Sequence, residues 1–230
     1  MSRGFQEALD YRMRVRWKTS RNSDAHRMPK QKSLGQSIVE FAILLPLLIM
    51  MLSGLIEFGF MLNYYLDIID AAREAARFAA SDDPLHDDAT GVFVDPNPGF
   101  YNRAQTVTLQ SLTIGSGGQI TLNPASDDVV VSVFSVLTTP TGGVVDKRFP
   151  LGPGEVALYN NKVSELDVTT DIEPALDAGA PNTGMVSVEI FYDYHMVLGL
   201  PWIRAFVPDP VTLYAYSIMP NVHAEPTPTP

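Results

Sequence analysis

A chain of 230 residues with 46% hydrophobic composition has room for one membrane segment and one modest folded domain, and its length argues against several domains. It contains no cysteine, which excludes a disulfide framework, a thiolate metal site and a cysteine nucleophile, so stability has to come from packing. The net charge of −10 is unevenly spread: nine cations against three acids give +6 over residues 1–34 and leave −16 beyond Leu34.

A cationic flank directly before an apolar run, with an acidic remainder, is the positive-inside pattern. It predicts a basic cytoplasmic leader over residues 1–35 and places the bulk of the chain across the cytoplasmic membrane. Because the membrane already explains the basic cluster, no nucleic acid is expected as a partner. From Phe41 to Ile56 there is no charge, yet sixteen helical residues rise only about 24 Å, short of a hydrocarbon core of about 30 Å. The transmembrane helix is therefore predicted over 36–66. It includes Glu57 near the outer membrane interface, where headgroups or a partner can take the carboxylate. Pro46 removes one backbone hydrogen bond, which a membrane helix tolerates. The length of the run and its aromatic flank (Phe58, Phe60, Tyr64, Tyr65) predict a retained single-pass span rather than a cleaved secretory signal.

Residues 67–80, DIIDAAREAARFAA, extend the helix outside the membrane with i,i+3 charge pairs at Asp70–Arg73 and Glu74–Arg77. Ala72, Ala75, Ala76 and Ala79 make a small-residue face for close packing of another helix or a sheet. An extracytoplasmic α+β domain is predicted over 81–220. It starts with a loop at 91–99 and a helix from Phe100 to Leu112 with Tyr101, Ala104, Thr108 and Leu112 on one side. Strand signals follow at 119–122, 129–137, 185–198 and 211–219, and the alternation in the last three suits an antiparallel sheet with one buried face. The stretch 140–182, rich in glycine, proline and acids, is predicted to be an exposed insertion, and 221–230 a disordered proline-rich tail. The fold class is thus α+β: a long amino-terminal transmembrane helix running into a domain built on an antiparallel β-sheet.

Chemistry-bearing residues do not converge. His26, His86, His195 and His223 are scattered without metal-motif spacing. Asp82, Asp83, His86, Asp87 and Asp88 lack the spacing and turn glycine of a calcium loop, and Gly115 to Gly118 reads as a flexible turn. Tyr192, Tyr194, Tyr214 and Tyr216 alternate along two strands and predict one stacked cross-strand aromatic face rather than a carbohydrate site. No enzyme activity, cofactor or metal is expected.

One constellation carries meaning. A basic leader, Gly35, and Glu40 five positions later at the head of an apolar helix, KQKSLGQSIVEFAILLPLL, reproduce the layout of a type IV prepilin processing site. Residues Gly35 to Ala80 resemble the amino-terminal region of TadE-like pilus assembly proteins, minor pseudopilins of tight-adherence systems. The matching features are the Gly-Gln start, the Val-Glu-Phe triplet, the Leu-Pro pair, Ile-Glu-Phe-Gly at 56–59 and Ala-Ala-Arg-Glu-Ala-Ala-Arg at 71–77. The resemblance implies a pilin-like fold and cleavage by a prepilin peptidase between Gly35 and Gln36. It also implies an assembly role for Glu40 and Phe41, and as partners the other pilins and pseudopilins of the system and its inner-membrane assembly platform. The implied function is to initiate or cap a tight-adherence pilus, with a place in the surface filament. Met28 opens a compact leader with two lysines, so Met1, Met13 and Met28 all stand as candidate starts.

Physical chemistry supports a role for Glu40 independently. If Gln36 becomes a free amino terminus, Glu40 lies one helical turn away, and an amine and a carboxylate in low dielectric are each costly unless paired. Pairing Glu40 with the amine of a neighbouring subunit would set the axial register between packed helices. Three alternatives stay open: a solvated Glu40 at the cytoplasmic interface, an uncleaved anchored binding module of TadG-like type, and an anchored surface enzyme. Cyclisation of Gln36 would remove the proposed amine.

Overall fold

The computed structural model describes residues 34–85, 97–113, 119–139, 142–149, 154–172 and 183–224. The expected leader up to residue 33, Gly115 to Gly118 and the end of the expected tail from 225 lie outside these. The chain divides into two units between Ile49 and Met50. One helix, α1 (Leu34–Ala79), supplies residues to both. In the first unit its residues 35–49 are all exposed, an apolar surface from Ile38 to Ile49 interrupted by Glu40 and Pro46.

In the second unit, α1 residues from Met50 onward meet an α+β domain. Helix α2 (Pro98–Leu112) starts where Asn97 caps it, its Oδ1 accepting from the N–H groups of Gly99 and Phe100, with proline in the first turn where no N–H is needed. Its buried side includes Tyr101, Ala104, Thr108 and Leu112, as the spacing predicts. The sheet is antiparallel throughout. Strand β1 (Asp128–Thr139) pairs with β2 (Gly142–Phe149), with the two-residue β3 (Val156–Ala157) and with β4 (Thr183–Tyr194), and β4 pairs with β5 (Val211–Asn221).

Three of the four expected strands are present. The expected strand at 119–122 is not: Ile120 N–H donates to the Leu112 carbonyl at 2.8 Å, and Ile120 and Leu122 are buried as a cover on the core. Strand β4 stops at Tyr194, short of the expected 198, because the N–H groups of Val197 and Leu198 turn to a carboxylate of α1 instead of to a strand.

Alternation along the strands sends Val129, Val131, Val133, Val186, Val188, Ile190, Leu213 and Ala215 into one core with Ile68, Ala71, Ala72, Ala75, Ala76 and Ala79 of α1. Alanine at these helix positions lets the backbone of α1 lie close to the sheet; each larger side chain would push it away. The opposite face is also covered, by Leu166 and Ile172 against Phe134 and Met185. This corrects the expectation of a sheet with one buried face. It also corrects the expectation that 140–182 is an exposed insertion. Its segment 142–149 is β2, 156–157 is the edge strand β3 with Val156, Leu158 and Tyr159 against the main core, and Leu166 and Ile172 are buried over the second face. The apolar pieces there are short because they cover only a narrow strip of sheet.

The far end of the domain is closed by Asn221. Its Nδ2 donates to the carbonyls of Ala79 and Asp82, and its Oδ1 accepts from His223 and Ala224, so one buried side chain caps α1 and holds the turn after β5. The expected tail therefore begins later than 221. That turn rests on Gly184, where an added Cβ would lie 2.3 Å from the Ala224 Cβ and 2.5 Å from its carbonyl carbon. Gly184→Ala is expected to lower domain stability by roughly 1–3 kcal/mol, the usual cost of overpacking. A melting temperature equal to the parent's would show that the turn moves away freely.

Candidate functional site

Four of the five residues singled out from the sequence lie together at the start of α1. Gly35 is exposed, and none of the described residues lies within 4 Å of the position a Cβ would take, so packing among them does not require glycine there. Gln36 Nε2 donates to Glu40 Oε1 at 3.1 Å, an i,i+4 bond that holds the carboxylate along the helix. Phe41 is 61% exposed beside it. The helical backbone thus presents Gly35, Gln36, Glu40 and Phe41 on an exposed turn, with an apolar helix behind them.

Glu57 is in a different setting. It is 5% exposed, and its carboxylate accepts from the Tyr194 hydroxyl at 2.6 Å and from the N–H groups of Val197 and Leu198, both at 2.8 Å. These are charge-assisted bonds, shorter and stronger than neutral ones. One turn earlier, Ser53 Oγ accepts from Trp202 Nε1 at 3.0 Å and donates to the Met50 carbonyl. Tyr64, two turns further on, stacks parallel to Tyr192 at 5.9 Å and edge-on to Tyr194 at 5.3 Å. One side of α1, from Ser53 through Glu57 to Tyr64, is therefore a polar and aromatic clamp on the end of β4 and the segment after it. Within that segment, Asp209 pairs with Arg204 at 3.0 Å and with His195 at 3.2 Å. In the sequence, Glu57 is separated from its partners by 137 to 141 residues, and no local signal joins them.

The tyrosines divide between the two faces of the sheet, which corrects the expected single aromatic face. Tyr192 and Tyr194 turn to α1, while Tyr214 lies with Phe191 and Tyr216 on the other side, its hydroxyl bonded to Glu189. The parity follows from register, in which Tyr192 sits opposite Leu213, not Tyr214. Burial, then the neighbouring Tyr64 and Asp127, push the Tyr192 phenol up to about 12. Tyr194 is raised by burial first and then by its bond to Glu57, and Tyr214 by burial and the Glu189 charge. All three act as neutral hydroxyls.

The buried carboxylates of the domain are structural in the same way. Asp128 accepts from the N–H groups of Val129, Tyr159, Asn161 and Lys162, and Glu189 accepts from Ser164, Glu165 and Tyr214. Asp82 is held by Arg103 through Nε and Nη2, and Asp83 accepts from Leu85 N–H; His86, Asp87 and Asp88 lie outside the described residues. Among the described residues, no group of three or more histidine, aspartate or glutamate side chains is placed to hold a metal ion.

Helix α1 is long and apolar enough to cross a membrane, with a mean hydropathy of 2.4 over its most apolar window. Residues 35–77 match the family model described as TadE-like protein, so the resemblance read from Gly35 to Ala80 is borne out over that segment. No curated protein and no solved structure matches the chain.

Proposed function

We propose, with the TadE-like segment as the premise, that this chain is a non-catalytic, single-pass pseudopilin-like subunit. Inserted in the cytoplasmic membrane with its amino end inside, it initiates or caps a tight-adherence pilus. One observation supports this reading above the others: Gly35, Gln36 and Glu40 stand on an exposed turn at the head of an apolar helix, inside the family-matched segment. Among the described residues, no side chain is packed against Gly35 where a peptidase would act. Cleavage there would free an amine one turn from Glu40, at the membrane end of the helix, where the two groups stabilise each other. The α+β domain that follows the span would be the part displayed outside, in keeping with the acidic charge beyond Leu34.

Amino-terminal sequencing of the membrane-extracted protein, from cells with an active prepilin peptidase, tests this. The mature chain is expected to begin at Gln36. Gly35→Leu is expected to block processing while leaving insertion intact, because the apolar run is unchanged. Recovery only of chains that keep Lys30 to Gly35 would overturn the reading in favour of an uncleaved anchored module.

A further inference from the structure

Burial along α1 begins at Ser53; residues 35–52 are all exposed. Where burial begins, the segment 197–207 lies against the helix. Val197 and Leu198 are bonded to Glu57, and Trp202 to Ser53, around the four-residue helix α3 (Pro201–Arg204). Trp202 and Ile203 of this segment are half-buried, but several of its other apolar side chains are not covered. Phe206 is 85% exposed, Val197 53%, and Leu198 and Val207 38% each. On the helix itself Leu55 and Phe58 are 67% and 55% exposed at the same level. A recess of about 170 Å³ between them is lined by Gly54, Phe58, Met61, Met196, Ile203 and Val207. An exposed phenylalanine, valines, a leucine and an indole gathered in one segment form an apolar patch that water does not favour, rimmed by the paired Arg204 and Asp209.

We propose that 197–207 is a membrane-seated foot: Phe206, Val207, Val197 and Leu198 dip into the interfacial zone of the leaflet on the domain's side, next to the point where α1 leaves it. The proposal rests on the reading that α1 spans the membrane. What selects lipid as the occupant is continuity, since Phe58 of α1 shares one recess with Ile203 and Val207, beside the exposed Leu55, and hydrogen bonds to Ser53 and Glu57 fix the height of the patch on the helix. A tryptophan and an arginine at that height suit the headgroup boundary, where amphipathic rings and snorkelling cations collect. The foot also sets the span. Twenty residues counted back from Ile56 reach Ser37, about 30 Å, which fills the hydrocarbon core. Glu57 needs no lipid headgroup, because Tyr194 and the N–H groups of Val197 and Leu198 supply its donors.

The absence of cysteine permits a direct test with single-cysteine spin labels on the full chain in liposomes of zwitterionic lipid. Labels are placed at Phe206→Cys, at Val222→Cys in the turn beyond β5 as the water reference, and at Leu48→Cys within the span. Relative accessibility to oxygen and to a water-soluble nickel chelate reports depth. The expected result is a Phe206 label about 5–10 Å inside the headgroup boundary, a Val222 label in water and a Leu48 label deep in lipid. A Leu48 label in lipid with Phe206 as open to nickel as Val222 would overturn the foot and leave the membrane anchor standing. A Phe206 label shielded from both probes, with spin–spin broadening that disappears on dilution in lipid, would assign the patch to a second copy and also overturn it. A Leu48 label open to nickel would defeat the anchor itself, and the foot with it.

Discussion

Glu57→Ala is expected to release the end of β4 and the following segment from α1 and to cost the domain about 2–4 kcal/mol. The estimate counts the Tyr194 hydroxyl and the N–H groups of Val197 and Leu198, each losing a charged acceptor at roughly 1–3 kcal/mol when buried, with the more exposed N–H groups partly repaired by water. Glu57→Gln keeps one acceptor oxygen but turns an NH₂ toward donors, so it should fall between alanine and the parent. Tyr194→Phe removes one donor only, but one bonded to a charged acceptor, and should cost about 1.5–3 kcal/mol. Thermal unfolding of the detergent-solubilised chain reads all three. Limited proteolysis within 195–209 provides a second readout, since a released segment is cut sooner. An alanine variant that melts with the parent would show that the stack of Tyr64 on Tyr192 and the alanine face of α1 hold the domain without the carboxylate.

The second large effect is on assembly rather than stability. Glu40→Gln is expected to be processed and inserted normally and to lose its pilus partners on purification. Glu40 is exposed and, among the described residues, is bonded to Gln36, so the amide should leave the folded chain unchanged. In a packed assembly the amide would leave a neighbour's buried ammonium without a counter-charge. Removing one member of such a pair typically costs about 2–5 kcal/mol, which is on the order of 30-fold to several-thousand-fold in affinity. Glu40 and Glu57 therefore predict opposite phenotypes: Glu57 variants are unstable as isolated chains, and Glu40 variants are stable but unassembled. Mass spectrometry of the mature terminus adds a check, because loss of ammonia from Gln36 would mean the amine is gone and the pairing with it. Co-purification of Glu40→Gln at the parent's level would defeat the register argument.

Local order was legible in the residues. The helix from Leu34 to Ala79 follows from the long apolar run and the alanine-rich stretch after it in spite of Pro46, α2 from the spacing of Tyr101, Ala104, Thr108 and Leu112, and the three long strands from alternation, because each of these signals is contained in a few consecutive turns or residue pairs. The small-residue face at Ala72, Ala75, Ala76 and Ala79 foretold close packing, and the spacing of Gly35 to Glu40 the candidate processing turn. What failed was long-range. Strand β2, the edge strand β3 and the cover at Leu166 and Ile172 are short pieces among glycines and acids, and they become structure only through pairing with β1 or burial against the sheet, both of them long-range. The division of the tyrosines between faces follows from a register of β4 on β5 that neither strand contains by itself. Glu57 shows the limit most clearly: as sequence it is a charge inside an apolar run, a membrane-edge residue by every local rule. Its donors at Tyr194, Val197 and Leu198 reach it only once the sheet has carried β4 alongside α1, so the bonds that decide its role exist only in the folded chain.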